Sequence, residues 1–195
     1  MTSAEVLGRY HSRRSATEDF IRKTYALRYD ATLTSFPENI LALFNTQGRV
    51  ICAAGVRDQS EAFFSERYLG APIERALTEL TGSEVSRNAI FEVSTLASQT
   101  PCSSAAFIRE IVAYGEAQGF AWSFFTVTSR LQVLLGRIGV SSIYLGEALA
   151  ERVANPGQWG QYYAARPRVC AVPGSRAITN ARGVKRCVGF DAAAA

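Results

Sequence analysis

A chain of 195 residues in which 48% are apolar can bury a core large enough to fold without staples, which excludes wholesale disorder. The net charge of +4 is unevenly placed: residues 1–165 sum to −1 and residues 166–195 to +5. A body so close to neutral lacks the basic face of a nucleic-acid-binding domain.

The first 13 residues carry charges with no apolar stretch behind them, unlike a secretory signal, and are expected to be a flexible lead into one domain over residues 14–173. Residues 16–29 put Phe20, Ile21, Tyr25 and Tyr29 on one helical face, with Thr17 as a cap. Residues 39–45 and 49–56 are apolar runs around Thr46-Gln47-Gly48, which predicts a β-hairpin. After the segment 63–69, the spacing of Ile73, Ala76, Leu77 and Leu80 predicts a half-buried helix. Residues 90–97 are rich in β-branched and aromatic side chains and read as a strand. A turn over 98–104 leads into a helix over 105–117, with Phe107, Ile108, Ile111 and Val112 inward and Gly119 as terminator. Residues 121–128 are almost wholly apolar, which predicts a central strand buried on both faces. A short helix with Leu131, Leu134, Leu135 and Ile138 on its core side comes next, then a strand over 141–145. This order indicates an α/β chain whose mixed sheet is flanked by helices. Beyond Pro173 the pattern dissolves into Gly, Arg and Ala, so residues 174–195 are expected to be a basic, disordered tail.

No apolar run approaches the roughly 20 residues needed to cross a bilayer, and the expected compartment is the cytoplasm. Cys52, Cys102, Cys170 and Cys187 form no Cys-x-x-Cys pair, and His11 is the only histidine. No metal site is expected, and reduced thiols are.

The stretch 92–128 is the most informative. Strand, polar loop, helix and parallel strand make a βαβ unit whose helix N-terminus has unsatisfied N–H groups suited to an anion. Glu92 lies within an apolar strand, where an unpaired carboxylate is costly; it either pairs with an arginine such as Arg57 or serves as a general base toward an amine. Arg57, where a strand leaves the core, can hold a carboxylate or phosphate bidentately, or pair structurally with Glu92, Glu66 or Glu74. The polar segment Glu66-Arg67-Tyr68 reads as a solvated helix face or a cleft wall. Cys102 sits where a thiolate would be stabilised, but cysteine catalysis needs a partner base, and His11 lies in the flexible end. Ser94 lacks both a Gly-x-Ser-x-Gly elbow and a histidine, which excludes a hydrolase triad. Trp159, Tyr162 and Tyr163 line an acyl pocket or pack the C-terminal segment onto the sheet.

The run Glu92-Val93-Ser94-Thr95-Leu96-Ala97, followed by a helix and an apolar strand, resembles the GNAT-type acetyltransferase superfamily. Ala54-Gly55-Val56-Arg57 brings the likeness nearer to the acyl-homoserine-lactone synthases. Nearer still is the bacterial thermostable hemolysin family, whose pattern is similar at Phe20-Ile21, Phe36-Pro37, Phe63-Phe64-Ser65-Glu66-Arg67-Tyr68-Leu69, Pro72-Ile73-Glu74 and Trp159-Gly160-Gln161-Tyr162-Tyr163. The matches run in order over residues 14–170. The resemblance implies a GNAT-like acyltransferase fold and transfer of an acyl group from a thioester to a small amine-bearing acceptor. Arg57 and Glu92 would organise the acceptor. The splayed central strands would hold the donor along Val93, Ser94 and Leu96, with Gln99, Cys102, Ser103 and Ser104 at the helix N-terminus.

The chain departs from that pattern twice. The family commonly has Gly-Asn where Ser94-Thr95 stand, and the superfamily's phosphate loop has glycines where Gln99–Ser104 has none. Glycine lets a backbone approach pyrophosphate closely, and Pro101 removes a donor. No tightly bound cofactor is therefore expected, and acyl carrier protein is as suitable a donor as acyl-CoA. Two other classes remain at this stage: a membrane-active hemolysin, although no lytic amphipathic helix is found, and a non-catalytic module that binds acyl thioesters or their carrier.

Overall fold

Asn45 closes the first turn of the sheet. Its side-chain oxygen accepts N–H bonds from Gln47 and Arg49 at 3.0 and 2.9 Å, and Gly48 takes a φ of 73°. The flanking apolar runs pair antiparallel as Asn39–Phe44 (β2) and Val50–Arg57 (β3), the expected hairpin. The computed structural model, which describes residues 4–180, extends this hairpin into a seven-stranded mixed sheet. Its other strands are Glu5–Leu7 (β1), Ile90–Ser98 (β4), Trp122–Val127 (β5), Ile143–Glu147 (β6) and Arg168–Pro173 (β7). The helices are Arg14–Tyr29 (α1), Ile73–Thr81 (α2), Pro101–Gln118 (α3), Ser129–Arg137 (α4) and Ser175–Asn180 (α5). Spatial order is β1-β2-β3-β4-β5-β7-β6, with β4 and β5 parallel and every other neighbouring pair antiparallel.

The two faces of the sheet carry different helices. Residues such as Ile40, Ala42, Ala53 and Ala97 pack beneath α1, and Ile90, Trp122 and Phe124 beneath α2. The alternate residues, among them Leu41, Ala54, Phe91 and Val93, pack against Phe107 and Ile111 of α3, and Val127 against Leu135 of α4. This is the period-two division of a strand set against the 3.6-residue period of the helices.

Several expectations change. Thr17, expected to cap α1, lies within it: the helix begins at Arg14, and the Thr17 hydroxyl donates to the Arg13 carbonyl at 2.9 Å. Residues 5–7, expected within a flexible lead, form the edge strand β1, held by Arg14. That side chain is only 6% exposed and donates to the carbonyls of Leu7, Pro37 and Glu38 at 2.9, 2.5 and 2.6 Å. α3 begins at Pro101 rather than at residue 105, because proline suits the first helical turn and the Thr100 side chain accepts the Ser103 N–H at 3.1 Å. β7 is additional, inserted between β5 and β6. Of the expected tail, residues 175–180 form α5, with Ala177 in the core; the remainder, including Cys187, lies outside the described residues. Cys52, Cys102 and Cys170 are free thiols, the first and last of them buried. No helix among the described residues is long and apolar enough to cross a membrane.

Candidate functional site

The one parallel pair in the sheet opens partway along its length. β4 and β5 are in register from Ile90–Trp122 to Val93–Phe125; beyond that point β4 follows β3 and β5 follows β7. At the parting, β4 carries a bulge: Gly55 faces Ser94 but Ala53 faces Ala97, so one extra residue is accommodated. Thr95 takes it up with a φ of 48°, a left-handed conformation that is costly for a β-branched residue. Its hydroxyl oxygen is buried without a hydrogen-bond partner among the described residues.

The opening is the mouth of a cleft of about 910 Å³. Side chains from both faces of the sheet line it. Tyr25, Tyr29, Phe64 and Trp159 come from the α1 side, and Ile108, Ile111, Leu131 and Leu134 from α3 and α4. The expectation that β5 is buried on both faces therefore holds for Trp122, Phe124 and Val127 only. Ser123, Phe125 and Thr126 are half-buried and face the cleft. Its size, and a lining that combines apolar and aromatic walls with many polar and arginine side chains, fit a small-molecule site.

Of the residues singled out from sequence, Arg57, Val93, Ser94, Leu96, Gln99 and Ser104 line this cleft. Glu92, Cys102 and Ser103 do not. Glu92 has no exposed surface and accepts main-chain N–H bonds from Phe64 and Ser65 at 2.5 and 2.7 Å. Burial pushes its carboxyl above the ordinary value, opposed by the Arg57 guanidinium 3.8 Å away and by those two N–H groups. The pairing alternative is thus the observed one, with the main chain as chief partner. Arg57 donates to the Ser94 hydroxyl at 2.9 Å and lies 3.7 Å from Glu61, so the structural pair is with Glu92 and Glu61; Glu66 and Glu74 belong to Arg87.

Gly55 makes this junction possible. A Cβ there would sit 2.6 Å from Pro37 Cγ and 2.7 Å from Ser94 Oγ. The Ser65 hydroxyl lies 2.9 Å from that of Thr126, tying the turn Ser65–Tyr68 to β5.

The α3 N-terminus is less open to an anion than its sequence suggests. Thr100 takes the Ser103 N–H, the Ser104 N–H bonds to the Thr100 carbonyl at 3.1 Å, and Pro101 has none to give. The Ser104 and Ser98 hydroxyls bond to one another, and Gln99 donates to the Val50 carbonyl at 3.1 Å. Cys102 is exposed on the helix surface, away from the cleft lining.

Aromatic rings enclose the α1 side. Tyr25, Tyr29, Trp159 and Tyr162 form a continuous contact set with centroids 5.2–6.5 Å apart, reached from the other side by Phe64, 5.3 Å from Trp159. Trp159 and Tyr162 pack the C-terminal segment and also line the cleft; Tyr163 packs beside them and bonds to the Tyr68 hydroxyl at 2.7 Å. Gly160 fastens this wall. With a φ of 51° it lies against the carbonyls of Tyr29 and Asp30, where no Cβ fits, and the Gln161 N–H bonds to the Tyr29 carbonyl at 2.6 Å. Burial raises the proton affinity of Tyr25, Tyr68 and Tyr162 well above the ordinary phenol value, so their hydroxyls stay protonated.

Sequence reasoning did not single out Arg28, Arg130 or Arg137, which also line the cleft together with Arg57 and Arg67. Among the described residues that line it there is no Asp, Glu, His or Lys. The available signal was the spacing of Arg130 and Arg137, two turns apart on one side of α4.

The family profile described as thermostable hemolysin matches residues 7–178. No curated protein sequence matches the chain. Among solved structures, BjaI, a CoA-dependent acyl-homoserine lactone synthase seen with SAM and isopentyl-CoA, is similar with a TM-score of 0.59 and 13% identity, covering 90% of this chain and 85% of that one. The AHL synthase LasI is similar at 0.58 and 11%, covering 89% and 90%. FeeM, an N-acyl amino acid synthase from uncultured soil microbes, is similar at 0.58 and 14%, with the same coverage of 89% and 90%. At such identities the likeness establishes the fold, a GNAT-like acyltransferase architecture.

Proposed function

The chain belongs to the thermostable hemolysin family, and from that premise we propose that it transfers an acyl group from a thioester to a small amine. The observation that carries this reading is the cleft that opens through the sheet where β4 and β5 part, lined from both faces. Such a passage lets two substrates meet from opposite sides. Beyond Val93 the facing edges of β4 and β5 no longer pair with one another, so their main-chain groups can bond to an extended donor arm rich in amides. Val93, Ser94 and Leu96 form that wall, with Gln99 and Ser104 at its end. Leu131 and Leu134 offer apolar surface to an acyl chain.

The amine nitrogen attacks the thioester carbonyl, the C–N bond forms, the C–S bond breaks, and the departing thiolate takes up the proton the nitrogen sheds. With no carboxylate or imidazole among the described residues that line the cleft, the chain's contribution is to hold the reactants in line and to favour the neutral amine. The arginine field does the second, because neighbouring positive charge disfavours an ammonium. Arg57 and Glu92 act as positioning residues: Glu92 fixes the Phe64–Ser65 main chain and the Arg57 guanidinium, which in turn fixes Ser94 at the parting. The donor is an acyl-CoA or an acyl carrier protein, held without a dedicated pyrophosphate cradle, in keeping with the capped, glycine-free turn at 99–104.

The experiment is to incubate the full chain with pools of acyl-CoA, acyl carrier protein and primary amines. Mass spectrometry then follows donor loss and N-acyl product. Product formation dependent on the protein is the expected result. No turnover and no donor binding across chain lengths would overturn the reading.

A further inference from the structure

We propose that Thr126 is a catalytic residue whose hydroxyl oxygen accepts an N–H of the attacking amine at the point where β4 and β5 part. This rests on the acyl-transfer reading above and assigns the group that orients the nucleophile.

The last paired residues of the parallel strands are Val93 and Phe125, so Thr126 is the first residue of β5 beyond the parting. Alternation along the strand puts its side chain with Trp122 and Phe124, on the face that carries α1 and α2, while Phe125 packs toward α3 and α4. Thr126 is half-buried and lines the cleft. It thus stands beside the passage, on the face opposite the Leu131 and Leu134 wall offered to an acyl chain.

A carboxylate only accepts hydrogen bonds, and this sets the direction of a short chain of hydroxyls that runs from Glu92 to Thr126. Glu92 is wholly buried and takes N–H bonds from Phe64 and Ser65 at 2.5 and 2.7 Å. The Ser65 hydroxyl also donates to it; together with Arg57 and those N–H groups it favours the ionised form against the effect of burial. Ser65 is only 1% exposed, and its one hydroxyl proton is thereby committed. Across the 2.9 Å contact between the Ser65 and Thr126 oxygens, Thr126 is then the donor. Its proton faces Ser65, and its oxygen keeps lone pairs with no proton left to give. The carboxylate behind the chain polarises both hydroxyls and makes that oxygen a stronger acceptor.

Neighbouring groups at the parting are already engaged. The Ser94 oxygen accepts from Arg57 at 2.9 Å, and the Ser65 oxygen from Thr126. The five arginines of the lining bring only donors. At the head of the chain, the Thr126 oxygen is the one left for an incoming N–H. An amine anchored there has its nitrogen fixed at the passage and its lone pair free for the thioester carbonyl.

The kinetic test uses phenethylamine with octanoyl-CoA or octanoyl acyl carrier protein. Thr126→Val keeps the shape without the hydroxyl and is expected to lower kcat about tenfold, the factor of one well-placed hydrogen bond, with donor binding unchanged. Thr126→Ser should recover most of that loss. Ser65→Ala keeps the main-chain N–H to Glu92 and should show a smaller fall in the same direction. A second measurement needs no turnover: calorimetric binding of N-octanoyl-phenethylamine against its N-methylated form, which has no N–H. The N–H amide is expected to bind more tightly, and Thr126→Val to erase the difference. Should Thr126→Val not fold, Ser65→Ala carries both measurements. An unchanged kcat in Thr126→Val or Ser65→Ala, failure of Thr126→Ser to recover it, equal binding of the two amides, or a preference that survives Thr126→Val would overturn the assignment. An N–H preference that depends on Thr126, found without turnover, would support the assignment and count against acyl transfer. Absence of both turnover and amide binding would overturn the two together.

Discussion

Replacing Thr95 with glycine should make the protein more stable, although it deletes a half-buried side chain from the centre of the sheet. Thr95 holds a φ of 48° in the β4 bulge, and its hydroxyl is buried without a partner among the described residues. A non-glycine residue held in a sparsely populated region costs of order 1–3 kcal/mol. An unsatisfied buried hydroxyl costs about 1–3 kcal/mol more. Against these stand the greater chain entropy of glycine in the unfolded state, about 0.5–1 kcal/mol, and roughly 1 kcal/mol for the lost methyl contact. The net expectation is a gain of about 2 kcal/mol, within a span of roughly 0–4.5 kcal/mol set by those terms. In a domain of this size that raises the melting temperature by about 2–4 °C per kcal/mol. Two companions separate the causes. Thr95→Val removes the hydroxyl and keeps the strain; Thr95→Asn relieves the strain, because asparagine tolerates the left-handed region, and keeps a polar group. Urea unfolding with an unchanged slope is the appropriate measure, since a shifted midpoint then reports stability alone. Loss of stability in Thr95→Gly by more than about 1 kcal/mol would show that the native side chain contributes more than its strain removes, and would refute the reasoning.

Gly55→Ala should cost about 1–3 kcal/mol by overpacking against Pro37 and Ser94, read as a lowered urea midpoint. Arg14→Ala should cost about 3–5 kcal/mol, because it leaves the carbonyls of Leu7, Pro37 and Glu38 without their donor and takes from Glu18 one of its two arginine partners; hydrogen exchange should locate the loss at β1 and β2. Burial would raise the Glu66 carboxyl, but Arg87 and the Ile73 N–H outweigh it and hold its pKa below the ordinary value. The folded state thus binds its proton more weakly than the unfolded chain. The resulting stability is present above the ordinary carboxylate pKa and is lost as pH falls through the lower folded value. Melting temperatures followed from neutral pH into the acid range should show this loss, and Arg87→Met should diminish it.

How much could be read in advance depended on whether a feature announces itself locally. The β2–β3 hairpin, α1, α2 and the parallel β4–α3–β5 unit did, because their periodicities or turn residues lie within a few positions of one another. β1 and β7 did not. Glu5–Leu7 is too short for any period to register, and Arg168–Pro173 is a brief apolar run between Pro167 and Pro173. Each becomes a strand because a neighbouring edge offers unpaired main-chain groups. The same division applies to the site. Arg57 and Ser94 were legible because strand register brings them together. Glu92 was legible as a carboxylate in need of a partner, but the partner is the main chain of a turn 27 and 28 residues earlier, which no spacing rule reveals. Arg28, Arg130 and Arg137 look like ordinary surface cations in sequence, and only the topology brings them into one lining with Arg57 and Arg67.

The place of β7 bears on how the molecule comes into being on the ribosome. β5 and β6 do not pair with each other; the strand that joins them, residues 168–173, is made after both and enters between two that already exist. Until then the growing chain holds β5 with an open edge and β6 with no partner at all. The right-hand half of the sheet, and with it one wall of the cleft, cannot assemble during synthesis of the first 167 residues. A nascent chain released before β7 should therefore present an unfinished edge to chaperones and proteases, and the binding site can form only once residues 168–173 have been made.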